Sequence, residues 1–146
     1  MPSSTKRLGA PRRAQPEGEL QKSIVRYTLE KHPAWPLIAS LNGVFLGPDR
    51  KKNAQQMAAM RAKGVASGYP DLFLHLRGGR GEIGLAIELK AGSNTLTPAQ
   101  CAWRDKLTHH GCAYQVVRSL AEYTTALDHY TSGTSLSPVV LSDDDE

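Results

Sequence analysis

The sequence predicts an α/β domain with elements in the order helix, strand, short helix, strand, strand, helix, strand, helix. Three observations carry this reading. From Gly68 to Lys90 the chain alternates side chains with a period of two on either side of a Gly-rich turn, the pattern of a strand hairpin. From Pro16 to Lys31 and from Leu120 to Tyr130, apolar residues recur at steps of three and four, the pattern of a helix with one buried stripe. Between the hairpin and a last apolar run, Ala113 to Val117, stands Thr97-Pro98-Ala99-Gln100, in which Thr97 caps, Pro98 suits the first helical position and Gln100 closes a capping box.

In chain order, the first helix carries Leu20, Ile24 and Tyr27, with Val25 and Leu29 on the neighbouring stripe, and stops at His32-Pro33. Trp35 to Leu41 reads as a short strand bounded by Pro36 and Asn42-Gly43. Asn42-Gly43 followed by Arg50, Lys51 and Lys52 reads equally as a flexible, positively charged stretch that can reach phosphates or as a turn with a solvated helix start. Ala54, Met57, Ala58 and Met60 then form a short helix that ends near Lys63-Gly64. In the hairpin, Asp71 to Leu76 places Leu72, Leu74 and Leu76 on one face. Glu82 to Lys90 places Ile83, Leu85, Ile87 and Leu89 on one face and Glu88 with Lys90 on the other. Trp103 and Leu107 bury the next helix, which Gly111 ends. A second capping box, Ser119 with Glu122, opens the last helix, with Leu120, Tyr123, Leu127 and Tyr130 at helical steps. The predicted organisation is a disordered basic arm over 1–15, one domain over 16–131 and a disordered acidic tail over 132–146.

Charge narrows the function class. The net charge is +4. Lys6, Arg7, Arg12 and Arg13 in the arm cancel Asp143 to Glu146 in the tail, so the body between them carries the whole of it. A basic body fits a phosphodiester partner better than an acidic one. No apolar run approaches the roughly 18 residues of a membrane span, and no apolar stretch follows the N-terminal cations, so a soluble, intracellular, cytoplasmic protein is expected. Cys101 and Cys112 flank His109 and His110 but lack CxxC spacing, and buried thiols are expected there rather than zinc or a disulfide. Gly79 to Gly84 matches GxGxxG, yet it joins two strands and opens no helix, so no nucleotide cofactor is expected.

The hairpin brings chemistry together. With Leu76 opposite Glu82, Asp71 faces Ile87; with one more residue in the turn, or a bulge, it faces Glu88. Either register sets two carboxylates and the Lys90 ammonium in one small volume. Like charges that close are unfavourable without a cation between them, so a divalent metal, Mg²⁺ or Mn²⁺, is expected.

Pro70-Asp71 followed by Glu88-Leu89-Lys90 resembles the PD-(D/E)xK nuclease signature. The flanking GVASGYPDLFL, IELKAGSNTLTPAQ and GCAYQVV resemble the VRR-NUC (virus-type replication-repair nuclease) branch, over about Glu17 to Leu120. The resemblance implies a restriction-endonuclease-like core, a mixed sheet flanked by helices. It further implies Mg²⁺ or Mn²⁺ on Asp71, Glu88 and the backbone carbonyl of Leu89, with Lys90 orienting water and Gln100 beside the centre. Glu19 of the first helix would complete the site, with Glu17 as its competitor. Arg50, Lys51, Lys52, Arg61 and Lys63 are the candidate DNA-backbone contacts. Small standalone members of this branch resemble structure-specific endonucleases on branched DNA, including four-way junctions. Two symmetric nicks in a junction call for a homodimer. The rivals are a flap- or single-strand-directed nuclease and a non-cleaving DNA-binding or adaptor module.

Overall fold

A computed structural model describes residues 16–41 and 47–134. Eight elements succeed one another: α1 (Pro16–Lys31), β1 (Leu37–Ala39), α2 (Arg50–Ala62), β2 (Leu72–Leu74), β3 (Leu85–Leu89), α3 (Pro98–His109), β4 (Ala113–Val117) and α4 (Leu120–Ser132). The order is the one the sequence predicts. The strands form one sheet, β1-β2-β3-β4, antiparallel through the first three and parallel between β3 and β4. The parallel step arises from connectivity, because α3 carries the chain back to the end of the sheet where β3 began. The arm, the tail beyond Thr134 and Asn42-Gly43 lie outside the described residues. Among those described, no helix is long and apolar enough to cross a membrane.

One face of the sheet is the core. Leu72, Leu74, Leu85, Ile87, Leu89 and Val117 are fully buried against Ile24 of α1 and Tyr123, Leu127 and Tyr130 of α4. Each such aliphatic side chain contributes roughly 1.5–3 kcal/mol by leaving water. The polar groups in this layer are paired. The Thr28 and Tyr123 hydroxyls lie 2.7 Å apart, and the Tyr130 hydroxyl donates to the Leu76 carbonyl. Ile83 departs from the expected pattern. It lies before β3 begins and is 59% exposed, because its N–H donates to Gly111 O at 3.0 Å and ties it to the turn after α3.

The strands are shorter than the alternation suggests, since pairing continues beyond them only as single hydrogen bonds. His75 N donates to Pro36 O at 3.0 Å, and Ser40 N to Asp71 O at 2.9 Å. Trp35 lies outside β1 and stacks on His32, with ring centroids 3.7 Å apart. The GxGxxG match has a packing explanation. A Cβ on Gly79 would fall 2.4 Å from Gly133 N, and one on Gly84 would fall 2.5 Å from the Phe73 ring. These glycines let the hairpin lie against the end of α4 and let Phe73 cover β3.

Gly68 sets the approach of the loop that leads into Pro70-Asp71. Its φ is +80°, and a Cβ there would fall 2.6 Å from the Ala99 carbonyl carbon. The missing side chain lets that loop rest on the first turn of α3. Gly68→Ala combines a left-handed backbone with a collision against helix backbone, so we expect a loss of about 2–4 kcal/mol of stability. Urea denaturation measures this as a lowered midpoint with unchanged slope.

Candidate active site

The hairpin register resolves the alternative left open by the sequence. Leu72 pairs with Ile87 and Leu74 with Leu85, so one step further Asp71 stands opposite Glu88. The additional turn residue is accommodated where Gly78 N donates to Glu82 O at 2.9 Å. Asp71 Oδ2 accepts from Leu89 N at 2.8 Å, which fixes that carboxylate against β3 between Glu88 and Lys90.

Glu88 is 2% exposed. Its Oε1 accepts from Gln100 Nε2 at 2.7 Å, while Gln100 Oε1 accepts from Thr97 N at 2.9 Å. Gln100 therefore closes the capping box of α3 and orients Glu88 with the same amide. Glu88 Oε2 is enclosed and has no hydrogen-bond partner. Lys90 comes next on the same face at 8% exposure. Among the described residues its ammonium makes no hydrogen bond to either carboxylate, but its charge lies close enough to lower the pKa of both.

The first helix supplies Glu17 and not Glu19. Glu17 Oε1 accepts from Ala91 N at 3.1 Å, next to Lys90 in the chain, and its charge raises the pKa of both Asp71 and Glu88. Glu19 is 56% exposed and pairs with Lys22 at 3.3 Å. Helical geometry explains the difference. Glu17 lies two turns before Ile24, on the stripe that Ile24 and Thr28 bury, whereas Glu19 is rotated away from it. That stripe is the signal available in the sequence.

Arg118 carries no such signal. Its Nη1 and Nη2 donate to Gly92 O at 2.7 Å and Asn94 O at 2.8 Å, which holds the loop between Lys90 and α3. Its own N–H donates to Glu122 Oε2 at 2.7 Å, so Glu122 serves Arg118 while Ser119 Oγ caps α4 by accepting from Glu122 N.

Of the two readings open for Arg50, Lys51 and Lys52, the helix start is the one observed, since all three belong to the first turn of α2. Asp49 caps that turn, its Oδ1 accepting from Lys52 N at 3.0 Å. All three are exposed, as are Arg61 and Lys63 at the other end of the helix, and α2 buries none of its residues. Cys101 and Cys112 are free thiols.

Burial is the first cause at both carboxylates. It raises Asp71 and, reinforced by the Asp71 charge, pushes Glu88 up to about 8. A carboxyl held that high keeps a proton near neutrality, and a hydrogen bond between the two side chains, which raises Glu88 and lowers Asp71, places that proton on Glu88. Among the described residues no group of three or more His, Cys, Asp and Glu side chains is arranged to hold a metal. The hard oxygens that the hairpin brings together are those of Asp71 and Glu88. Such hard oxygens suit a cation that keeps much of its water, as Mg²⁺ does.

These shifts have a testable sign. A carboxyl raised in the folded state contributes stability that is fully present below its ordinary value and is lost as pH rises through the folded one. For Glu88 that window runs from 4.5 to about 8. With chelator present, the melting temperature is expected to fall across this window. Excess Mg²⁺ or Mn²⁺ should restore it more at pH 9 than at pH 6, and Glu88→Gln should flatten both dependences. Thermal melts with and without metal measure the effect.

A solved structure described as a VRR_NUC domain protein superposes with a TM-score of 0.55 at 24% identity, covering 80% of this chain and 88% of that one. No curated protein sequence matches the chain. The VRR-NUC domain model matches residues 16–121, from the helix that bears Glu17 past the end of β4. With its restriction-endonuclease-like mixed sheet and that match over most of its length, the chain belongs to the VRR-NUC domain family, a nuclease-type fold.

Proposed function

We propose that this protein is a divalent-metal-dependent endonuclease that hydrolyses phosphodiester bonds in branched DNA, four-way junctions foremost. The observation that carries the reading is the opposed pair Asp71 and Glu88, with one enclosed carboxylate oxygen lacking a partner. A group that has given up water without a hydrogen bond costs about 1–3 kcal/mol or more. A cation relieves that cost.

Mg²⁺ or Mn²⁺ held by Asp71, Glu88 and the Leu89 carbonyl would lower the pKa of a bound water and offset charge developing on the phosphate. The chain's own residues do the rest. Leu89 N–H orients Asp71, and Gln100 orients Glu88, so neither carboxylate has to be ordered when substrate arrives. Lys90 brings a compact positive charge to the same face, suited to hold the attacking water and a non-bridging phosphate oxygen. Glu17 and Arg118 fix the backbone just beyond it.

The exposed cations of α2 suit the DNA backbone outside the pocket. Arg50, Lys51 and Lys52 stand at a helix N-terminus, where their charge opposes the helix dipole. That arrangement does nothing for the helix and favours a phosphate. Contacts of this kind position a duplex without reading its bases, so selectivity rests on shape. A single pocket makes a single nick, and two symmetric nicks in a junction are most simply made by a two-fold dimer.

The test is cleavage of a labelled four-way junction, a flap, a single strand and a matched duplex in Mg²⁺ or Mn²⁺, with light scattering on the same samples. We expect paired nicks in the junction, no cleavage of the duplex and the mass of a dimer. Preferential cutting of the flap or single strand by a monomer would replace the junction reading. Tight binding without cleavage in either metal would leave a DNA-binding module.

A further inference from the structure

We propose that a cavity of about 240 Å³ beside the candidate active site, walled by Ser40, Leu41, Val65, Ala66, Tyr69 and Trp103, takes one unstacked nucleobase next to the phosphate held at Asp71 and Glu88. The proposal rests on the nuclease reading and names what that site would select.

Position is the first ground. Tyr69 precedes Asp71 by two residues, and Ser40 N donates to the Asp71 carbonyl at 2.9 Å. Trp103 lies about one helical turn beyond Gln100, whose amide holds Glu88. A nucleotide whose phosphate reaches the carboxylates therefore has its base within reach of these walls.

Chemistry is the second. Tyr69 and Trp103 meet edge to face with ring centroids 5.2 Å apart, and Leu41 at the rim is 54% exposed. A base has apolar faces that such walls cover and polar edges that need hydrogen bonds. Ser40 Oγ supplies an unmet one, because it is enclosed without a partner. The size also fits. About 240 Å³ falls below the roughly 300–1,000 Å³ of pockets that hold drug-sized ligands, which suits one planar ring system better than a longer group. Cations stand close by, with Lys106 Nζ 4.9 Å from the Trp103 ring centroid and Lys63 next to Gly64 of the same cavity. They match a charged backbone on either side of the base and disfavour a neutral apolar guest.

The consequence is a source of structural selectivity. A base at a branch point leaves its stack more cheaply than one inside a matched duplex, so a pocket that must be filled favours branched DNA.

The experiment uses the Asp71→Asn chain with Mg²⁺ and four-way junctions carrying a single 2-aminopurine at successive positions around the branch. We expect fluorescence to rise at one position flanking the cleaved phosphate. Adding Trp103→Ala should abolish the rise and weaken junction binding about 5- to 100-fold, the range expected for loss of a base–aromatic contact. In the otherwise wild-type chain, Trp103→Ala should raise KM for the junction more than it lowers kcat. Ser40→Ala, which removes the enclosed hydroxyl without opening the core, should act in the same direction with unchanged melting. It carries the test where Trp103→Ala proves unstable. Uniformly quenched fluorescence, or full brightening and affinity in the Trp103 and Ser40 variants, overturns the pocket. Cleavage by the wild-type chain on the same junctions separates the two failures: cleavage without brightening overturns the pocket alone, and no cleavage overturns the nuclease reading with it.

Discussion

Asp71→Asn should lose about a thousandfold or more in single-turnover cleavage at saturating Mg²⁺, while DNA affinity stays unchanged or rises. Lewis-acid and water-activating contributions amount to several kcal/mol, and each 1.36 kcal/mol is tenfold in rate. The substitution is conservative in shape. An asparagine oxygen can still accept from Leu89 N, where Asp71 Oδ2 does at 2.8 Å, so the strand pair should hold. It also removes a charge that burial and the nearby Glu17 charge both disfavour. The metal-free variant should therefore melt no lower than wild type, which separates lost chemistry from lost fold. Glu88→Gln should behave alike, because it replaces a carboxyl that burial and the Asp71 charge push up to about 8 with a neutral amide of the same shape. Activity within tenfold of wild type in either variant, at saturating metal, would mean that the reacting phosphate lies elsewhere.

The Asp71–Glu88 pair is legible in the sequence because it depends on local rules. Alternation puts Glu88 and Lys90 on one strand face, and a short turn has to return Asp71 to the neighbourhood of Glu88. The one-residue register depends on how Gly78 to Glu82 closes the turn, and glycines accept several closures at similar cost. Thr97-Pro98-Ala99-Gln100 announces a helix start, and α3 begins there, yet the second use of Gln100 rests on α3 lying across the sheet. Gly68 shows the same limit: its sequence context matches a family pattern, but the reason for glycine is the backbone of Ala99.

The departures from expectation have physical causes too. Arg50, Lys51 and Lys52 read equally as a loop or a helix start because cations there oppose the dipole, and the Asp49 cap decides for the helix. The family resemblance points to Glu19 with Glu17 as its competitor, and the buried stripe of α1 selects Glu17. Arg118 is beyond the reach of local pattern, since its carbonyl partners lie in the loop between Lys90 and α3 and are brought to it only when β3 pairs with β4.

Lys90 gives the sharpest separation of roles, because both of its failures should look similar in rate and different in metal binding. Lys90→Ala should cost about 10²- to 10⁴-fold in cleavage, the usual range for a group that positions or moves a proton in the transition state. Lys90→Arg should fail almost as badly. The side chain is only 8% exposed, so a longer planar fork has little room, and a spread charge cannot replace a point charge beside a water. Metal affinity should move the other way. The Lys90 ammonium lowers the pKa of Asp71 and Glu88 while repelling any cation between them. Without it a cation loses a repulsive neighbour but meets carboxylates that hold their protons more strongly. At pH 9, where the proton competes least, Mn²⁺ should bind Lys90→Ala at least as tightly as wild type, and calorimetry measures this without any DNA. Slow cleavage with intact metal binding assigns Lys90 to the reacting phosphate and water. A fully active Lys90→Arg chain would reduce it to a strand residue beside the metal ligands, and lost Mn²⁺ binding in Lys90→Ala would make its role structural.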